Sequence, residues 1–296
     1  MAWLSGSFGW LALGSEAVAY GTLAATPVYQ HGVSSTLKLV EVRAVPPTLG
    51  GNAPHTGLRL ASYVEGGAVL GMSRVRTVLG NIYAHMASLS TNDYDFTGTP
   101  TVTSLSAFCD FGGVEYDYKG LIARSIAWEL KGAGDYSTIS LDFIGQAQEK
   151  YSGAARSPSL PADSLLVTPV GLTTFTINST VVNSCKLARI SVERSVSGID
   201  RQRLGSATLP QPVIGNERPR ITATFEVELD TATSNNTVAE LDKFYSDTTL
   251  GTIIIKDHTL TGCQPIGTPP DLGRGFVPLT ISVEATGLTV TTIAGS

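Results

Sequence analysis

The chain is short of charge. Only 15% of its 296 residues are Asp, Glu, Lys or Arg, against about 25% in an ordinary globular domain. Long solvated helices and coiled coils need those residues in abundance and are excluded. Wholesale disorder needs low hydrophobicity and high net charge, whereas hydrophobic residues here stand at 42% and the net charge is −5. A basic excess is missing too, with 20 Lys and Arg against 25 Asp and Glu. Proteins that grip nucleic acid draw most of their affinity from neutralised phosphates. DNA binding is therefore not expected, although a place beside DNA without holding it is compatible. Cysteine is scarce: Cys109, Cys185 and Cys263 lie far apart with no C-x-x-C pair. A disulfide scaffold or structural zinc site is excluded, and the three read as small apolar core residues in a reducing or indifferent compartment. No apolar run approaches the ~20 residues that span a membrane. Residues Met1–Ser15 carry no basic side chain and are broken by Gly6, Gly9 and Gly14, unlike a secretory signal.

Catalytic constellations are equally thin. His31, His55, His85 and His258 form no H-x-x-x-H or H-E-x-x-H arrangement, and His85 and His258 read as surface histidines. There is no G-x-S-x-G elbow and no phosphate loop. Gly273-Arg274-Gly275 lacks a third glycine and a following helix, and reads as a turn before a strand. No enzyme and no cofactor is expected. Asp93-Tyr94-Asp95-Phe96-Thr97-Gly98 opens like a calcium loop, but its twelfth position is Ser104 rather than a bidentate Glu. A polar loop before a strand is the better reading, with calcium near Asp93 and Asp95 left open.

What the chain has is Thr, Ser, Val and Gly in strand patterns. In 220–229, Ile221, Ala223, Phe225, Val227 and Leu229 alternate with Thr222, Thr224, Glu226 and Glu228. Residues 277–285 alternate likewise, and weaker runs lie at 37–45, 58–64, 121–130, 137–144, 172–178 and 186–194. Ile253-Ile254-Ile255 suits a strand covered on both faces. Two helices interrupt the strands. Val75, Val78, Leu79, Ile82 and Met86 share one face of a helix over 75–87. Thr237 and Glu240 make a capping box for a helix over 237–247.

The chain divides into an amino-terminal arm (1–22), a strand-helix-strand part (23–156), a Pro/Ser-rich connection (157–164) and a second strand-helix-strand part (165–296), the two parts forming one compact unit. A duplicated plan follows as a hypothesis, since direct identity between the halves is slight. The segment Gly198–Arg220 holds Arg201, Arg203 and Arg218 with Pro210, Pro212 and Pro219 and no aromatic residue. A loop of about 20 residues in a compact domain often marks an interaction element, here a protein contact. Trp3, Phe8 and Trp10 are expected at subunit contacts, because aromatic anchors dominate interfaces.

These features in their order resemble the siphophage tail tube, or major tail, protein family. Gly14-Ser15-Glu16-Ala17-Val18-Ala19-Tyr20-Gly21-Thr22 is similar to its opening, and Arg74–Ala84 to its first helix. Lys119–Ile126 followed by Leu141-Asp142-Phe143-Ile144-Gly145 resembles its strand pair. Ser184–Val192, the long loop, the 220–229 strand, Leu241–Tyr245 and Gly275–Ile281 resemble the second half. The resemblance implies an all-β fold with two short helices, a β-sandwich or barrel of the tail tube type, assembling into a ring with a β-lined lumen. It implies rings of six subunits stacked into a conduit for DNA ejection in the virion, assembled in the host cytoplasm. Implied partners are further copies of itself, the tail terminator, tape measure and baseplate or distal tail proteins, with transient passage of DNA and no membrane. The duplicated layout also fits a trimer of two-part subunits. Asp142, Glu226 and Glu228 are the candidate lumen-facing acids, since a conduit must not hold phosphates. The alternative is a β-rich capsid-decorating or other surface structural protein.

Overall fold

The computed structural model describes residues 8–16, 19–44, 58–132, 136–167, 175–181, 185–197, 213–215, 217–228, 244–246, 251–267 and 278–293. The chain is mostly β. The first half runs β1 (Phe8–Ser15), β2 (Val28–Gln30), β3 (Gly32–Ser35), β4 (Lys38–Ala44), β5 (Leu58–Gly71), α1 (Arg76–Met86), β6 (Ser88–Ser90), β7 (Asp93–Asp95), β8 (Leu105–Phe111), β9 (Glu115–Lys131), β10 (Thr138–Gly145) and β11 (Ala147–Lys150). The second runs β12 (Phe175–Ile177), β13 (Thr180–Val181), β14 (Cys185–Glu193), β15 (Val196–Ser197), β16 (Val213–Ile214), β17 (Arg220–Glu228), β18 (Gly251–Ile255), β19 (His258–Pro265), β20 (Pro278–Ala285) and β21 (Gly287–Thr291).

A central antiparallel sheet runs β4-β5-β10-β9-β14-β17-β20-β19, eight strands wide, with β3 continuing the β4 edge along β5. One leaf branches from it as β2-β1-β8-β9-β11, and a second as β13-β12-β18-β19-β21-β7-β6. The whole is an open antiparallel sheet and not a closed one, so of the expected sandwich or barrel no barrel closes within the chain. The long strands β9 and β19 each belong to the centre and to a leaf. They change layer at Gly120 (φ 63°) and Gly262 (φ 61°), where only glycine takes the left-handed backbone without strain.

The halves carry one pairing scheme. β1 pairs β2 and β8, β4 pairs β5, β5 pairs β10, β10 pairs β9, and β9 pairs β8 and β11. In the second half β12 pairs β13 and β18, β14 pairs β17, β17 pairs β20, β20 pairs β19, and β19 pairs β18 and β21. The irregularities repeat as well. Register slips between Leu105 and Ala107 in one half and between Gly251 and Ile253 in the other. Beside the two kinks, Gln146 N–H donates to Lys119 O (2.9 Å) and Thr286 N–H to Thr261 O (3.0 Å). α1 lies between β5 and β8, and the helical residues 244–246 lie between β17 and β18. The rest of the helix expected over 237–247 lies outside the described residues, as do Leu229, Val277 and the Gly273-Arg274-Gly275 turn.

Alternation explains the core. Ile126, Trp128, Leu130, Ile139, Leu141, Phe143, Ala188, Ile190, Val192, Ile221, Phe225, Ile281 and Val283 point inward from the central sheet and are buried. α1 turns Val78, Leu79, Ile82 and Met86 onto the same core, and Arg76 on its other side is exposed. Burial of these side chains contributes roughly 1.5–3 kcal/mol each.

Several expectations are corrected. β1 is no arm: it is paired on both edges, with β2 and β8, because Trp10, Leu11, Ala12 and Leu13 find apolar cover on both faces. Ile253 and Ile255 are buried but Ile254 is half-exposed, so β18 alternates instead of being covered twice. Asp93–Asp95 is a strand, not a loop, held between β6 and β21. His85 and His258 are fully buried rather than on the surface. The 157–164 connection is mostly exposed chain with a turn of 3₁₀ helix at Asp163–Leu165, yet it divides no sheet, since β9 and β14 pair across it. Arg156 anchors its start with a forked bond to Asp117 (2.6 and 3.0 Å), its guanidinium 3.7 Å from the Tyr151 ring centre.

Candidate functional site

The outward face of the central sheet is where the sequence-predicted polar residues converge. Its rows follow from the register. Thr138, Glu129, Arg189, Thr224 and Ser282 stand side by side across five strands, and so do Ser140, Ala127, Ser191, Thr222 and Glu284. A third row runs Asp142, Ser125, Glu193, Arg220. Neighbouring side chains in such rows lie about 5 Å apart, close enough to interact.

They do interact. Asp142 accepts from Arg124 Nη2 at 3.0 Å, and its other carboxylate oxygen lies 2.9 Å from Nε. Arg189 lies 3.2 Å from Glu129 and 3.7 Å from Glu226. Arg220 meets Glu284 at 3.3 Å, and Lys38 meets Glu65 at 3.4 Å. Between them, hydroxyls pair: Ser191 with Thr222 (2.8 Å) and Thr224 with Ser282 (3.4 Å). The structure thus brings Asp142 and Glu226 onto one face of one sheet. The backbone of Glu228 continues β17 opposite Pro278, and its side chain lies outside the description. The acids on this face are not bare, however. Each of Lys38, Arg124, Arg189 and Arg220 has a carboxylate within reach. Half-exposed pairs of this kind are worth about 0–1 kcal/mol each. Their consequence is electrostatic: each of these cations spends its field on a neighbour rather than on solvent.

Arg124, Glu129, Arg189 and Glu284 were not singled out from the sequence. Strand alternation puts Arg189 on a polar face with Ser191 and Glu193, but only the β9·β14·β17 register reveals which acids it meets.

The expected contact residues divide. Trp10 is a core residue, its ring edge-on to Tyr29 at 5.3 Å and packed with Ala12 and Phe108; burial within the chain corrects its place at a subunit contact. Phe8 pairs through its backbone with Phe111 at the end of β1. Trp3, Arg201 and Arg203 lie outside the described residues. Arg218 is exposed and lines a cleft of about 630 Å³ with Arg194, Glu217 and Pro219. Burial lowers the Arg194 pKa to about 10, and its guanidinium donates to Met86 O.

Three buried polar groups support this framework. Glu16 lies at the end of β1 and accepts four hydrogen bonds. Two come from the backbone of Gly21 (2.8 Å) and Gly120 (2.7 Å), two from the hydroxyls of Ser104 (2.6 Å) and Ser106 (2.8 Å). His85 donates from Nδ1 to Val102 O and accepts from Ala123 N–H at Nε2, both at 3.0 Å, an arrangement only the neutral ring can make. Desolvation lowers its pKa to about 4. His258 stands edge-on to Trp128 at 5.2 Å, with no hydrogen-bond partner on either ring nitrogen, and desolvation lowers its pKa to about 3. Asp93 accepts from Thr291 Oγ1 (2.7 Å), and Asp95 from Thr97 N–H (2.9 Å) and Oγ1 (2.7 Å). Among the described residues no group of three or more His, Cys, Asp or Glu could hold a metal.

No known family model matches the chain, and a search of the curated proteins returns no match.

Proposed function

We propose that this chain is a structural virion protein whose copies join into stacked rings, forming a phage tail tube through which DNA leaves the capsid. The observation that carries the reading is the eight-stranded sheet with one apolar and one ion-paired face. Such a sheet is suited to a wall. Its apolar face is sealed by α1 and the leaves, and its polar face holds cations already engaged by acids. A duplex passing such a face releases few counterions and is not retained. Sheet edges offer main-chain donors and acceptors for neighbouring copies, and heterologous contacts that do not close give filaments. On this reading its partners are further copies, then the terminator, tape measure and baseplate proteins at the tube ends.

Electron microscopy of the purified protein tests this. Hollow tubes of uniform diameter are the expected result. Isolated particles under all assembly conditions would overturn it and favour a capsid-decorating role.

A further inference from the structure

Repetition within the chain identifies the neighbour of an edge that no described strand covers. In the second half, β14 pairs on one side with β17 and on the other with β9 of the first half. Its counterpart in the first half, β4, pairs with β5; among the described residues no strand lies on its other side. Likewise β9 carries β10 on one side and β14 on the other, whereas the counterpart of that segment, the end of β19, pairs with β20 on the side matching β10, and among the described residues no strand lies on the side matching β14. One internal junction is thus made, and its two matching edges stand at opposite ends of the same sheet.

We infer that β4 of one copy pairs with the end of β19 of the next, in the register of the internal β9·β14 junction, so that three chains supply six repeats around the tube. The inference rests on the tube reading and names its subunit contact. Register fixes the details. Lys119 and Gly120 correspond to Thr261 and Gly262 through the shared kink, which makes Arg124 the counterpart of Ile266. Val64 and Ile221 correspond through the shared β5·β10 and β17·β20 pairings, and the strands beside them make Arg194 the counterpart of Glu41. Arg194 N–H donates to Arg124 O at 2.8 Å, so Glu41 of one copy faces Ile266 of the next. Ile266 is held in the sheet by its N–H to Ser282 O (2.8 Å) and is 49% exposed.

The strand count sets the number of chains. Strands lie about 4.8 Å apart and tilt by about 40° in a closed wall. Three eight-stranded sheets then give a backbone diameter of about 50 Å, and six give about 100 Å. Side chains take about 5 Å from each wall. Three chains leave a bore of about 40 Å, which clears a duplex about 20 Å wide with a layer of water. Six would leave a bore several times too wide, which replaces the six-subunit ring implied by resemblance.

The test uses the full chain carrying Glu41→Cys and Ile266→Cys together. Within one chain these positions sit at opposite edges of eight strands, about 34 Å apart by strand spacing, far beyond the ~7 Å that a disulfide spans. Any bond between them is intermolecular. In oxidised tubes the expected product is a covalent ladder ending at a closed trimer, absent from either single variant. A ladder ending at six would overturn the three-chain ring, and tubes without a ladder would overturn the edge pairing, while both leave the tube reading standing. Should the double variant not assemble, the mass of the unaltered ring decides. Three chains of 31.0 kDa give about 93 kDa per ring, and twice that value contradicts the inference. Absence of tubes from the unaltered protein overturns the tube reading itself, and this inference with it.

Discussion

The two halves of the chain share their pairing but not their furnishing. Ile122 and Ile144 of the first half are neighbours across β9 and β10 and are buried beneath Tyr20, Tyr63, Val196 and Ile214. Their counterparts, Gln264 and Glu284, are neighbours across β19 and β20 and stand exposed. The difference lies in what covers each pair. The paired strands β15 and β16, which come after β14, close over the first. Nothing described in the chain closes over the second. Inward positions are therefore held apolar in both repeats by burial, while outward positions differ according to whether a neighbouring repeat lies on them.

The largest expected effect tests whether the halves are one cooperative unit. Ile82→Asp places an unpaired carboxylate in the first-half core and should cost about 4–5 kcal/mol. Because β9 and β14 join the halves, hydrogen exchange should rise in β17 and β20 as much as in β5 and β10. Protection retained only in the second half would divide the chain into independent units.

The kinks can be compared directly. Glu16 braces the first through Gly120 N–H and three other donors. Glu16→Ala strands those donors and should cost about 3 kcal/mol, read by chemical denaturation. Gly120→Ala forces a left-handed alanine whose Cβ meets the Tyr20 ring at 2.8 Å, whereas at Gly262 the Cβ meets the Thr286 hydroxyl at 2.0 Å. Both should cost about 1–3 kcal/mol. Substituting Thr286→Ala should recover part of the loss at Gly262 and none at Gly120.

Acid should weaken the core through its histidines. His85 and His258 are neutral when folded, with pKa values of about 4 and about 3, against about 6.5 unfolded. A depressed folded pKa means that the unfolded chain binds the extra protons. Their contribution is complete above pH 6.5 and is lost as the pH falls towards 4, by about 1.4 kcal/mol per unit for each histidine. Denaturation of His258→Phe at pH 7 and pH 5 should show one proton less of this dependence. An unchanged slope would mean that His258 is solvated. The smallest effect belongs to the outward face: Arg189→Ala should change stability by under about 1 kcal/mol, despite its two acidic neighbours.

Period-two patterns at 220–229 and 277–285 were legible in the sequence because one face of each strand is buried throughout. The α1 stripe was legible for the same reason. His85 could have been read from it too, lying three residues after Ile82 and seven after Val78, on the buried side. The place of β1 inside a leaf was hidden because its glycines mimic a loose arm, and its neighbour β8 is remote in sequence. Register was out of reach altogether. The slip at Arg124 comes from a single bulge between β10 and β9, and it decides which charges meet there across the outward face. The repeat was visible only as an order of elements, since its conserved content is backbone pairing and apolar character rather than identity.

The central claim is that the ion-paired face lines the bore. Ser191 stands in the middle of that face, hydrogen-bonded to Thr222 and carrying no charge. With Cys185 first replaced by Ser, Ser191→Cys should react with a small maleimide in dissociated chains and, through the open ends, in tubes. A maleimide carried on a particle wider than the bore should label the dissociated chains and leave assembled tubes untouched. Full labelling of intact tubes by the large reagent would put this face on the outer wall and contradict the account.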